Sequence, residues 1–346
     1  MKSSRIISVV FVVAIAIIGF WQLPEQNIED SELNESVVEV VESAQQQSEI
    51  ENQQSSQVVE VDSKASQESP VNKPTPKTVV KKPYESDWCD GRELSENDII
   101  LAQTELKDWL TVIGKAAVKS HEDARPHELS NYVAPYESLS IERLKELALQ
   151  GDKWAMVTFM QDSRVTYPEG TKVQEQVANE LLIEGASYYA IYRLVLNSFT
   201  NARINIDKNR SDLAKENITD ALAYVYWGLE HFNGGGLGMF LVIAKSDEFK
   251  GKLSLEEILK DSTSEINDKI TKLTNRINQQ RMLRGIEFPE PPVVARNVFA
   301  GDIAYWQHKN DKQMELLRSL DIAQNVNIAI TDCVKKHQVF WDKVSK

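Results

Sequence analysis

ELALQGDKWAM, residues 146–156, and ELLIEGASYYAIYRL, residues 180–194, carry the fold. In each, an apolar helical run stops at a glycine, Gly151 or Gly185, and a second apolar run with alanine follows. Glycine ends a helix by taking a left-handed backbone, and alanine lets the next helix approach closely. Gly151 and Gly185 are 34 residues apart, and Ala155 and Ala190 are 35 apart. A third stretch, Asp220-Ala221-Leu222-Ala223-Tyr224-Val225-Tyr226-Trp227, leads to Asn233-Gly234-Gly235-Gly236 in the same style. A helix–turn–helix unit recurring at such a period predicts a stacked α/α solenoid.

Working outward, helix signals continue on both sides. Ser95 with Asp98, Thr171 with Gln174, Asn217 with Asp220 and Ser254 with Glu257 fit the cap-x-x-acid or amide pattern. That pattern satisfies orphan backbone donors at a helix start. Apolar residues recur at helical spacing in Ile99, Leu106, Trp109, Leu110 and Ile113, in Leu144, Leu147 and Ala148, and in Ile266, Ile270, Leu273 and Ile277. Pro289, Pro291 and Pro292 end the last of these regions. A final helix is predicted over Ile322 to Trp341. Alternating apolar and polar runs are scarce, so the fold class is all-α over residues 84–346.

The two quoted segments resemble Sel-one-type repeats, relatives of the tetratricopeptide repeat, over about residues 140–240. The second segment has one residue more between glycine and alanine, unless Ala186 takes the place of the glycine. The usual turn inside the repeat is replaced by Tyr167-Pro168-Glu169-Gly170. The resemblance implies a protein-interaction scaffold, common in exported bacterial proteins, and brings no catalytic residues with it.

The rest of the chain differs sharply from this helical part. Ile6 to Leu23 is an 18-residue run without charge, preceded by Lys2 and Arg5. Such a helix rises about 27 Å, close to the hydrocarbon thickness. Trp21 falls at interfacial depth, and the two basic residues hold the N-terminus inside. Two readings stand: an uncleaved signal-anchor over residues 1–23, or a removed signal peptide. The length of the run and its exit, Gly19-Phe20-Trp21-Gln22-Leu23-Pro24, favour the anchor over a small-residue cleavage site. Residues 24–83 contain twelve acids and five bases and lack Phe, Tyr and Trp. A segment this polar cannot offset its ordering entropy by burial, so a disordered linker is expected. It ends Pro/Lys-rich over residues 70–83, an extended composition. Sixty flexible residues span roughly 45 Å end to end.

Composition excludes several classes. The 346 residues carry 39 basic and 52 acidic side chains, a net charge of −13, which argues against broad nucleic-acid binding. Two cysteines cannot form a disulfide-dense scaffold or a four-cysteine zinc site. Cys89 and Cys333 stand at opposite ends of the helical part, and export favours pairing them. His121-Glu122 and His127-Glu128 lack the spacing of two ligands on one helix face. The Asn233–Gly236 run lacks the lysine and preceding strand of a phosphate cradle and reads as a helix–helix turn. No G-x-S-x-G elbow occurs. No cofactor or metal is expected.

One aromatic cluster stands out: Trp154, Tyr188, Tyr189, Tyr192, Tyr224, Tyr226, Trp227 and Phe232. Trp154, Tyr188, Tyr192, Tyr224 and Trp227 are the candidate binding aromatics, since such residues anchor interfaces. They also pack helical cores, and the apolar surroundings of Tyr189–Phe199 favour that role. The expectation is a non-enzymatic scaffold held in a bacterial inner membrane by one span. Its helical domain would stand in the periplasm and recruit an envelope protein. A wall-acting enzyme and a passive envelope spacer are the alternatives.

Overall fold

The structure is a computed structural model that describes residues 81–86, 88–115, 130–162, 164–165, 171–245 and 255–344. The expected anchor, almost all of the linker, His121, His127, the Tyr167–Gly170 turn and the Ser254 cap lie outside the described residues. Among the described residues every regular element is helical, with one isolated bridge between Lys82 and Leu94. None of these helices is long and apolar enough to cross a membrane.

The all-α expectation holds. After a 3-10 turn at Gly91–Glu93 come α1 (Glu96–Val112), α2 (Ser130–Glu137), α3 (Ile141–Leu149), α4 (Lys153–Gln161) and α5 (Thr171–Glu184). Then follow α6 (Ser187–Asp207), α7 (Ser211–Glu230), α8 (Gly235–Lys245), α9 (Leu255–Lys260) and α10 (Thr263–Arg284). The chain closes with α11 (Val293–Lys309), α12 (Asp311–Ser319), a 3-10 helix (Ala323–Ile328) and α13 (Asp332–Val344).

Local chemistry sets the starts. The Ser95 hydroxyl accepts from Asp98 N and donates to Asp98 Oδ2 at 2.7 Å, capping α1 as expected. Ser140 and Asp152 cap α3 and α4 in the same way. Two expected starts are displaced. Thr171 is the first residue of α5 rather than its cap, and both it and Gln174 are buried. Asn217 lies well inside α7, which begins at Ser211. There its Oδ1 accepts from Asn205 Nδ2, a cross-helix role the local pattern mimics.

The ends follow glycine more than proline. Gly151 (φ +88°) and Gly185 (φ +86°) take the left-handed conformation their sequence context demands. Gly285 (φ +65°) caps α10, ahead of the proline run expected to end it. The final helix is split: Ile322 caps the 3-10 helix, and α13 starts only at Asp332.

Packing is sequential first and long-range second. From α3 to α7 each helix packs on the next, and α6 with α7 forms the central pair. α8 and α10 then fold back on that pair: α8 lies on α6 and α7, and α10 on α7 and α5. α11 joins α1 to α13. The core includes Ile191, Leu194, Phe199, Leu222, Tyr226, Trp227 and Phe240, all nearly solvent-free. Ile266, Ile270, Leu273 and Ile277 form the buried stripe of α10.

The helix–helix turn read over Asn233–Gly236 lies between α7 and α8, with Gly235 and Gly236 already the first residues of α8. Its glycines allow close approach: a Cβ on Gly235 would stand 2.8 Å from the Tyr188 carbonyl oxygen, and one on Gly236 2.5 Å from Ile191 Cγ2. Asn233 is buried, donates from Nδ2 to Ser187 Oγ at 2.9 Å, and accepts the Gly235 N–H at 2.9 Å. The turn therefore welds α8 to the start of α6.

Candidate functional site

A shallow cleft forms where α1, the start of α6, the α7–α8 turn and α11 meet. Trp109 and Tyr188 form one side, and Phe232 and Phe299 meet edge-on, with ring centres 5.5 Å apart. Lys115 lies over the Tyr188 ring at 5.0 Å, and Asp302 adds a carboxylate. Phe232 has φ +52°, a conformation costly for a bulky side chain and held here by the turn around it. The His231 and Asn233 N–H groups both donate to the Gly228 carbonyl. The described lining contains no serine, cysteine or histidine. Its chemistry suits seating an apolar side chain beside a cation and a carboxylate.

Of the eight aromatics singled out in the sequence, Tyr188 and Phe232 line this cleft. The five candidate binding aromatics occupy different surroundings. Trp154 stacks on Tyr132 at 4.6 Å and lies under Lys153, whose ammonium donates to the Thr111 and Val112 carbonyls. Burial lowers the Lys153 pKa. Tyr192 is half-buried on α6. Tyr224 is half-buried on α7; burial raises its phenol pKa, with the Asp220 charge adding to that effect. Trp227 is 1% exposed and stacks on His231 at 4.0 Å, which makes it core.

Sequence reasoning missed an aromatic–cation chain that packs against Trp109 of the cleft lining. Phe288, in the α10–α11 linker, meets Trp109 edge-on at 5.7 Å and His231 at 5.9 Å. The buried Arg281 guanidinium lies over the Phe288 ring at 4.6 Å. It also donates to the Ile183 and Leu182 carbonyls at 2.9 and 2.7 Å, satisfying the last turn of α5. These partners are about a hundred residues apart, so no local pattern announces them.

The two cysteines are bonded, with S–S 2.01 Å and Cα–Cα 5.3 Å. The bond joins the entry segment to α13. Trp88 is buried beside it, and its indole N–H donates to the Tyr84 carbonyl at 2.8 Å. His337, one turn after Cys333, donates from Nε2 to the Cys89 carbonyl at 3.1 Å. Glu93 accepts from Lys82 at 3.0 Å and Lys336 at 3.2 Å across the same junction. Burial would raise the Glu93 pKa, but the two lysines hold it below its usual value.

The titrating groups make stability pH-dependent. Burial lowers the pKa of both His231 and His337 from the ordinary 6.5. The unfolded chain then binds more protons than the folded one in that window, so stability falls as pH drops below about 6.5. Glu175 and Asp220 act oppositely: burial raises both, so their unfavourable effect is relieved as pH falls from above the ordinary carboxylate range down into it. The melting temperature is therefore expected to fall from pH 7.5 to pH 5.5. Substituting both His231 and His337 with glutamine should flatten that fall. A pH-independent melting temperature in the unsubstituted protein would contradict the assignment.

Among the described residues, no group of three or more His, Cys, Asp or Glu side chains is placed to hold a metal ion. No family model matches this sequence, and neither a curated protein nor a solved structure shows significant similarity to it.

Proposed function

We propose that this chain is a membrane-anchored, extracytoplasmic interaction scaffold of helical-repeat type, which presents its helices to an envelope protein. The Cys89–Cys333 bond carries the reading, because such bonds persist in oxidising compartments and are rare in reducing ones. The uncharged Ile6–Leu23 run after Lys2 and Arg5 supports retention in the inner membrane of a bacterium, with the helical domain in the periplasm. The left-handed glycines Gly151 and Gly185, at a 34-residue interval, support the repeat reading. So does the helix-on-next-helix packing from α3 to α7. The aromatic cleft supplies a seat for one anchoring side chain of the partner.

In-cell photocrosslinking from Lys115 or Tyr188 tests this. A discrete adduct with one envelope protein is expected, and it should survive shortening of residues 24–80. Loss of function on that shortening, with indifference to changes at the cleft, would favour a passive spacer instead. Turnover of purified wall material by the chain would replace the scaffold reading with an enzymatic one.

A further inference from the structure

The outward face of α13 is unlike the rest of this acidic chain. Around the helix, Lys335, Lys336, Val339, Phe340 and Lys343 fall on the side away from the buried Val334 and Trp341. Val339 is 54% exposed and Phe340 43%, large values for such side chains. Two aspartates share the face: Asp332 pairs with Lys335 at 3.0 Å, and Asp342 lies 3.5 Å from His308 Nδ1. Glu93, at the N-terminal end of the face, is held by Lys82 and Lys336. Lys81 extends the basic border there, its ammonium donating to the carbonyl of Arg92, whose own guanidinium is paired with Asp90 at 2.5 Å. The net result is a lysine-rimmed apolar strip on a protein whose overall charge is −13.

Exposed lysines interleaved with Val and Phe on one helix face form the pattern of a surface-lying amphipathic helix. We propose that this face of α13 docks on an anionic lipid surface, laying the helical domain against the membrane that anchors it; this rests on the anchored reading above. Two observations select lipid as the occupant. The lysine rim is complementary in charge to anionic headgroups. The disulfide also ties α13 to the entry segment, immediately after PVNKPTPKTVVKKP, so a second lysine-rich tract precedes the same corner in sequence. Lysines near an anionic surface each multiply affinity by about five. Val339 and Phe340 add apolar insertion.

The test uses the full chain reconstituted into vesicles of phosphatidylcholine alone, or with phosphatidylglycerol added. A photocrosslinking phenylalanine analogue is placed at Phe340. A control carries it at Leu213, which is 45% exposed on α7. Flotation first reports whether the chain enters the bilayer; failure there sinks the anchored reading, and this proposal with it. In floated chains, lipid adducts at 340 should exceed those at 213 about fivefold or more with phosphatidylglycerol, and the excess should shrink without it. K335E/K336E/K343E should reduce the excess to the control level while leaving flotation and the disulfide intact. Equal adducts at 340 and 213 in floated anionic vesicles would overturn the proposal. So would protein–protein adducts at 340 in place of lipid ones.

Discussion

Replacing Cys89 and Cys333 with serine lowers the stability of the helical domain by about 2–5 kcal/mol. The bond spans 244 residues of sequence, and the chain-entropy model gives a loop of that size about 5 kcal/mol. Residual compactness of the unfolded chain reduces this value. The effect is read in the denaturant midpoint, with a steeper slope as well, because the uncrosslinked unfolded chain exposes more surface. Reductant should shift the native chain to the same midpoint and leave the double variant unmoved. Identical midpoints before and after reduction would show that α13 and the entry segment are held by packing and the Glu93 ion pairs alone. Each of those pairs keeps a partly exposed lysine and is worth little, so that outcome is not expected.

The second large effect is at Gly185. A side chain there meets two separate penalties. The backbone at φ +86° costs an L-residue about 1–2 kcal/mol. The new Cβ would also stand 2.6 Å from Phe288 Cε2 and 2.7 Å from Cδ2. Phe288 is pinned by Trp109 on one side and Arg281 on the other, so it cannot swing away freely. Overpacking of this kind costs about 1–3 kcal/mol more. Gly151 supplies the comparison: its φ is +88°, but a Cβ there meets nothing within 4 Å. Gly151→Ala should therefore show the backbone penalty alone, and Gly185→Ala both. In a Phe288→Leu background the difference between the two alanine variants should shrink. Equal losses at the two glycines in the native background would mean that the Phe288 contact yields at no cost.

This pair of glycines also marks how far the sequence could be read. Both left-handed turns follow from a glycine at the end of an apolar helical run, a rule that acts within a few residues. The stripe Ile266, Ile270, Leu273 and Ile277 was legible for the same reason, because period alone assigns one face to the core. The cysteine pairing followed from there being only two thiols in a chain read as exported. What stayed hidden is tertiary. That Phe288 closes over Gly185, or that Arg281 caps α5, depends on α10 returning to α5, and no spacing encodes it. Asn217 misled because a polar residue three places before an acid is common on any solvated helix face. The aromatics were singled out by type, but type does not separate Trp227, sealed in the core, from Tyr188 at a cleft.

The fold gives the proposed scaffold a consistent physical layout. Its central helices are fixed by burial and by the Asn233 turn, while its first and last segments are joined covalently. Fixing both ends holds α13 on α11, which with α1 lines the cleft. Rigid positioning of that kind lowers the ordering cost of binding a partner.

Thiol trapping in intact cells, combined with fractionation, is the most direct measurement of the central claim. Cells are treated with a bulky maleimide before and after reduction, and membrane and soluble fractions are compared. The account predicts that the chain stays in the membrane fraction, resists labelling until reduced, and then gains two labels. A chain found in the soluble cytosolic fraction, with both thiols labelled before reduction, would contradict it.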